Sequence, residues 1–343
     1  MRTARTWLSL AAALALTLCG ASAGAQSVED LEALVHKGSI DAALKGCDKL
    51  IKLRPKDPKP HFVRALALRS KNDLKGAIAS LRQAVALDGK FHQGVMTLGA
   101  MLEESGAIAE ALKYMRLAVK LKPDYADAWF NLARALDRQK QLKESVDAYG
   151  QTLKLNPKDL EARVRLANVL GKLDRNDEAV GHLREAVKLA PASVNLRVGL
   201  GAALAKARKL DEAAKELQTA LKAEPKLAEA ALRLGRVELE RGRTKEAVAA
   251  LEKAVALAPK SAEAACDLGV AYEAAGNWKR GLEQCRKALT LKPDYVKAHH
   301  RLGMMLIKRK QCKAAKVELD AYLKSVTDAA KRKEIEARIK GCK

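Results

Sequence analysis

The side chains of this 343-residue chain best suited to metal, redox or nucleophilic chemistry are six cysteines and six histidines. The histidines are His36, His61, His92, His182, His299 and His300. None falls in a His-Glu-x-x-His spacing, and the adjacent pair His299-His300 points to different faces of any helix that carries it. The cysteines show no Cys-x-x-Cys and no haem-attachment pattern, so the spacing gives little support to a metal or redox centre. Val198-Gly199-Leu200-Gly201 lacks the following lysine and the preceding strand of a phosphate loop, and reads as helical close packing. No catalytic constellation assembles. The expectation is a non-enzymatic protein that uses no cofactor and no metal.

Cys312 and Cys342 lie symmetrically about residue 327. If a helical hairpin turns there the two meet, and in an oxidising compartment they form a disulfide. Cys266 and Cys285 are likewise symmetric about Gly276, but one is expected on an outer helix face and the other in the core, so their pairing is left open. Cys47 reads as a buried thiol.

The elements that must position these residues are set by a period. Pro55, Gly89, Pro123, Pro157, Pro191, Pro225, Pro259 and Pro293 are spaced 34 residues apart. With each at repeat position 32, units begin near 24, 58, 92, 126, 160, 194, 228, 262 and 296, the first degenerate. Position 8 is then always small, as in Ala65, Gly99, Ala133, Gly201, Gly235, Gly269 and Gly303, and position 20 nearly so. Two antiparallel helices approach closely where such residues recur. Large apolar residues hold positions 7 and 24, at helical spacings of three, four and seven. A period of this length marks a stack of two-helix units, each burying its apolar face on its neighbours.

The pattern resembles the tetratricopeptide repeat family over roughly residues 27 to 326, and Ala128-Trp129-Phe130-Asn131-Leu132-Ala133-Arg134-Ala135-Leu136 looks much like that family's first helix. The resemblance implies an all-α fold: a right-handed superhelical solenoid of eight to nine helix-turn-helix repeats. First helices would line a concave groove and second helices the convex side. The family's aromatic at position 4 occurs here only as Trp129, so aliphatic packing is expected to replace aromatic packing in a chain with 3% aromatic residues. Residues 26–326 are read as one continuous array, and 327–343 as a basic capping helix and tail.

The family's geometry places positions 2, 5, 9, 12 and 13 on the concave side. These include nine basic and nine acidic residues over the eight good units, a neutral groove ill suited to a polyanion. Phe62, Met96, Phe130, Leu232 and Met304 are expected as apolar anchors there, on the view that repeat packing does not use those positions. Arg69, Arg134, Lys172 and Arg236 are expected as charged contacts, and Asn168 and Asn195 as hydrogen-bond partners of an extended peptide backbone. Some family members clamp a C-terminal carboxylate. Asn131 and Arg165 match two positions of that clamp, but Met96, Ala100 and Glu161 occupy the other three and disfavour it here.

Residues 1–25 do not belong to the repeat. Arg2 and Arg5 precede an apolar run from Trp7 to Leu18, and Ala23-Gly24-Ala25 fits a signal-peptide cleavage site. Leu18 before Cys19 argues against lipid attachment there, so soluble export, into a bacterial periplasm, is favoured over an outer-membrane lipoprotein. The formal charge is +23, and Lys279 to Lys343 alone hold 19 Lys or Arg against 7 Asp or Glu. The leading expectation is a scaffold that binds a peptide or protein segment in its groove and organises an envelope assembly. The alternative is an adaptor that docks Lys331, Arg332 and Lys333 on an anionic membrane surface of phospholipid or lipopolysaccharide. Export, low aromatic content and the neutral groove disfavour nucleic acid.

Overall fold

A breaker every 34 residues, small residues at fixed places between breakers and helical apolar spacing throughout give paired helices. The computed structural model describes residues 27–342, and among these there are nineteen α-helices and no strand. Repeat 1 holds α1 (Val28–His36) and α2 (Ile40–Leu53), repeat 2 α3 (Pro58–Ser70) and α4 (Leu74–Leu87), and repeat 3 α5 (His92–Glu104) and α6 (Ile108–Leu121). Repeat 4 holds α7 (Ala126–Arg138) and α8 (Leu142–Leu155), repeat 5 α9 (Leu160–Lys172) and α10 (Asn176–Leu189), and repeat 6 α11 (Val194–Lys206) and α12 (Leu210–Ala223). Repeat 7 holds α13 (Ala228–Glu240) and α14 (Thr244–Leu257), repeat 8 α15 (Ala262–Ala274) and α16 (Trp278–Leu291), and repeat 9 α17 (Val296–Lys308) and α18 (Cys312–Leu323). The last helix, α19 (Ala329–Gly341), follows. Residues 1–25, read from the sequence as a signal peptide, lie outside the described residues.

Two local rules repeat along the chain. In repeats 1 to 8 the second helix ends two residues before the breaker, because proline drives its predecessor out of the helical region. Arg54, Lys122, Asn156, Ala190 and Lys292 accordingly have φ between −145° and −131°, and Asp88 before Gly89 keeps the same form at −142°. The turn between the two helices of every repeat puts position 15 in the left-handed region. Gly38, Gly106, Gly242 and Gly276 adopt it, and so do Asn72, Lys140, Asp174, Arg208 and Lys310, with φ from 56° to 87° across the nine.

The small residues at position 8 act as the sequence requires. A Cβ on Gly235 would lie 2.4 Å from Leu251 Cγ, and one on Gly201 2.7 Å from Leu217 Cγ. The position-24 side chain therefore packs directly on the backbone of the first helix, and the seam between the two helices is closed. Where position 20 is Ser145, its buried hydroxyl donates to Ala133 O at 2.8 Å instead of lying unpaired.

The described residues form two compact units that divide within α7, one ending at Asn131 and the other beginning at Leu132. In the first, Val28, Leu31, Cys47, Leu50 and Val63 form the core of the opening repeats. In the second, Ala231, Leu232, Leu251 and Tyr272 are among the residues that fill the seam of repeats 7 and 8, and Leu319, Tyr322, Leu323 and Ile335 fix α19 to repeat 9.

Candidate first-helix binding face

The charges at positions 12 and 13 pair from one first helix to the next. Stacking brings position 12 of one repeat beside position 13 of its neighbour. In the first unit Arg69 bonds Glu104. In the second, Lys172 Nζ reaches Asp137 at 2.5 Å and Lys308 Nζ reaches Glu273 at 2.7 Å. A second register joins position 9 to positions 2 and 6 of the next repeat, where Arg236 holds both Glu263 and Asp267. The Arg236 hydrogen bond keeps the Glu263 carboxyl below its usual range against the opposing effect of burial. Solvent-exposed pairs of this kind contribute about 0–1 kcal/mol each, so their main consequence is electrostatic. Arg69, Lys172 and Arg236 are partnered within the repeat stack, and the neutral charge sum of this face arises from local pairs.

The apolar positions are drawn inward. Phe62 stands edge-on to Phe91 with ring centroids 5.4 Å apart and packs on the core of repeats 1 and 2. Leu232 is a core residue at 7% exposure, as is Val198 at 7%, and Met304 packs on the cluster of Leu319, Tyr322 and Ile335. The expectation that repeat packing leaves these positions unused is therefore corrected for Phe62, Leu232 and Met304. Phe62 and Leu232 stand at position 5, one helical turn before the close-approach residue at position 8, and the same seam takes them in, whereas Met304 stands at position 9, next to Gly303. Met96 and Phe130 are half-buried, and Arg134, half-buried too, lies one turn after Phe130 on α7.

Asn168 and Asn195 differ from their neighbours. They occupy positions 9 and 2 of successive repeats, the same two positions that Arg236 and Glu263 join by an ion pair. Both amides are exposed, and neither has a hydrogen-bond partner among the described residues. Arg165, one of the two matches to the carboxylate clamp, lies against Glu161 at 2.9 Å on the same helix, which agrees with the clamp being disfavoured.

At position 4 the sequence conceals a shared device. Trp129 Nε1 donates to Pro123 O at 2.8 Å. Arg163 donates to Pro157 O at 2.5 Å, Arg197 to Pro191 O at 3.3 Å, and His299 Nε2 lies 2.8 Å from Pro293 O. Arg197 also bonds Glu216 at 3.0 Å, and His299 Nδ1 contacts Glu318 at 2.6 Å, both acids standing at position 23. Three side-chain types thus hold the carbonyl of the breaker. Replacement of the aromatic by aliphatic packing applies to Val95, Ala231 and Ala265 and is corrected for these polar repeats.

At the C-terminal end Cys312 and Cys342 are bonded, with Cα atoms 5.6 Å apart. Asp328 caps α19 by accepting from Ala330 N and Lys331 N. Arg332, expected as an anionic-surface contact, instead donates to Leu323 O and Val326 O at 2.5 and 3.5 Å, carbonyls at the end of α18 and in the turn that follows it. Lys331 and Lys333 are exposed and form no ion pair among the described residues. Cys47, Cys266 and Cys285 are buried free thiols. Among the described residues no group of three or more His, Cys, Asp and Glu side chains is arranged to hold a metal.

Models of the tetratricopeptide repeat match residues 62–126, 126–159, 164–228, 198–262 and 232–296. No curated protein matches. Among solved structures, a tetratricopeptide repeat protein from Parabacteroides merdae is 17% identical, with 73% of this chain and 98% of that one aligned at a TM-score of 0.52. The Cut9-Hcn1 hetero-tetramer of APC/C is 16% identical over 90% of this chain and 62% of that one, at 0.53. YrrB, described as a tetratricopeptide repeat protein with an unusual peptide-binding site, is 24% identical over 54% of this chain and 96% of that one, at 0.44. The family matches and the likeness to the Parabacteroides merdae protein establish an all-α repeat solenoid.

Proposed function

We propose that this chain, which belongs to the tetratricopeptide repeat family, is a non-enzymatic scaffold that binds an extended peptide or protein segment along its first helices. Members of the family generally mediate protein–protein interactions, and that class of function is the premise. The observation that carries the finer reading is the open pair Asn168 and Asn195, set where another repeat closes an ion pair. A carboxamide offers both a donor and an acceptor, which suits the alternating N–H and C=O groups of a peptide backbone. The internally paired charges around it favour a segment of low net charge. The proposal extends to export and to an envelope assembly, on the strength of residues 1–25, which lie outside the described residues. Peptides selected from a random library on the full chain supply the test. Asn168→Ala with Asn195→Ala should weaken their binding about thirtyfold, at roughly 1 kcal/mol for each lost hydrogen bond. Unchanged affinity for every selected peptide would remove the reading.

A second reading, docking on an anionic lipid surface, is favoured by the exposed Lys331 and Lys333 in the basic C-terminal segment. Vesicles of anionic phospholipid distinguish it. Lys331→Glu with Lys333→Glu abolishes binding to them if this reading holds, and Arg332 is left in place because it fastens α19.

A further inference from the structure

Cys266 on α15 and Cys285 on α16 are 1% and 0% exposed, and their thiols hydrogen-bond to each other. The two helices are unusually close here. A Cβ on Gly281 would stand 3.0 Å from Gly269 O, and one on Gly269 would stand 2.6 Å from Cys285 Sγ. Cys266 lies one turn before Gly269, so the glycine that admits Cys285 to the seam also sets it beside Cys266. Cys285 Sγ has Met305 Sδ 4.0 Å away on its other side. Tyr295 packs over the cluster of Cys266, Ala265, Ala288 and Ala298. The same tyrosine lines an open cleft of about 440 Å³ with Lys260, Glu263, Leu291 and Lys292. Cys266 thus lies in the cluster against which the cleft's Tyr295 packs, whereas Cys285 lies in the separate core cluster of Leu282, Leu302 and Met305.

We propose that Cys266 and Cys285 form a thiol–disulfide exchange site, which takes a small-molecule disulfide as oxidant and closes to an intramolecular disulfide joining α15 to α16. The Cys266 thiol loses its proton and its sulfur attacks one sulfur of the oxidant. The oxidant's S–S bond breaks, and the departing thiolate takes up a proton. Cys285 then loses its proton and attacks Cys266 Sγ, the mixed disulfide breaks, and the second small thiolate leaves protonated. The protein dithiol gives up two electrons and two protons, and one small disulfide becomes two thiols. Cys266 is the attacking sulfur, because the hydrogen bond from Cys285 favours its thiolate while the same bond and burial disfavour that of Cys285.

The test uses the full chain and oxidised glutathione, followed by tryptic mapping without reductant. The expected product is a cross-link between the peptides Ser261–Lys279 and Gly281–Arg286, with Cys47 still free. In Cys285→Ser the resolving sulfur is gone, and glutathione should remain bonded to Cys266. Tyr295→Ala should speed cross-linking several-fold by removing the ring that packs against the Cys266 cluster. Should the serine variant fail to fold, the wild-type map still decides. Cys266 and Cys285 both recovered as free thiols from the native chain after prolonged oxidation, with Cys312 and Cys342 still bonded, would overturn the proposal. So would a glutathione adduct that forms on Cys285 in Cys266→Ser while Cys285→Ser takes none on Cys266.

Discussion

Gly235 shows how much of this architecture depends on single missing atoms. Leu251 Cγ occupies the space a Cβ would need, at 2.4 Å, and the branching carbon cannot retreat as a chain end would. Gly235→Ala should therefore cost about 1–3 kcal/mol, as overpacking of a filled core does. Denaturant unfolding reads this directly. A change below a few tenths of a kcal/mol would mean that the seam is looser than described. Gly201 and Gly303 face Leu217 and Leu319 in the same way, so the recurrence of small residues at position 8 was legible in the sequence as a steric necessity. The role of position 4 was not. Trp129, the arginines Arg163 and Arg197, and His299 have no common shape or charge, and what unites them is a carbonyl six residues earlier that only the folded turn brings within reach. Arg332 was misread for a related reason, since a charge count gives no sign that its guanidinium reaches the carbonyls of Leu323 and Val326.

The turn at position 15 belongs to the scale of the element. Its left-handed backbone is set by the hairpin and not by the residue, because lysine, arginine, aspartate and asparagine adopt it as glycine does. Nothing lies within 4 Å of a Cβ built on Gly242, so Gly242→Ala isolates the backbone cost, about 1 kcal/mol destabilising. Lys140, at φ 59°, has the reverse situation, and Lys140→Gly should stabilise by about 0.5 kcal/mol. Opposite signs at the two sites, measured by unfolding midpoint, are the expected result; a loss at both would place the cost in the contacts of Lys140 instead. The glycines of this turn are visible in the sequence, whereas the non-glycine turns carry no signal beyond the period. At the C-terminal end the bond between Cys312 and Cys342 closes α18, the turn and α19 into one loop. Its 30-residue separation corresponds to roughly 3–4 kcal/mol of loop-closure entropy in the chain model. The symmetry of these cysteines about residue 327 made the pairing readable without coordinates.

For the whole molecule, the period determined the fold class and the helix order, because each repeat buries its apolar face only against its neighbours. The partition into two compact units within α7 has no counterpart in composition or in the breaker pattern. The first-helix face was legible as neutral, yet not as paired, since neutrality in a sum does not say which charges meet. That pairing links structure to function. Lys172 with Asp137, Arg236 with Glu263 and Asp267, and Lys308 with Glu273 leave the second unit's face without a concentrated field, despite the chain's formal charge of +23. A ligand held there by amide hydrogen bonds and packing should feel little of the protein's net charge, whereas one held at the basic end should feel most of it.

The most direct test of the central claim is the affinity of the full chain for a library-selected peptide, measured at about 50 mM and again at about 500 mM salt, across which the screening length falls roughly threefold. Binding along the first helices predicts an affinity that changes less than about threefold with salt and that falls about thirtyfold in the Asn168→Ala, Asn195→Ala chain. An affinity that collapses steeply with salt, unaffected by those two changes and abolished by Lys331→Glu with Lys333→Glu, would contradict the account.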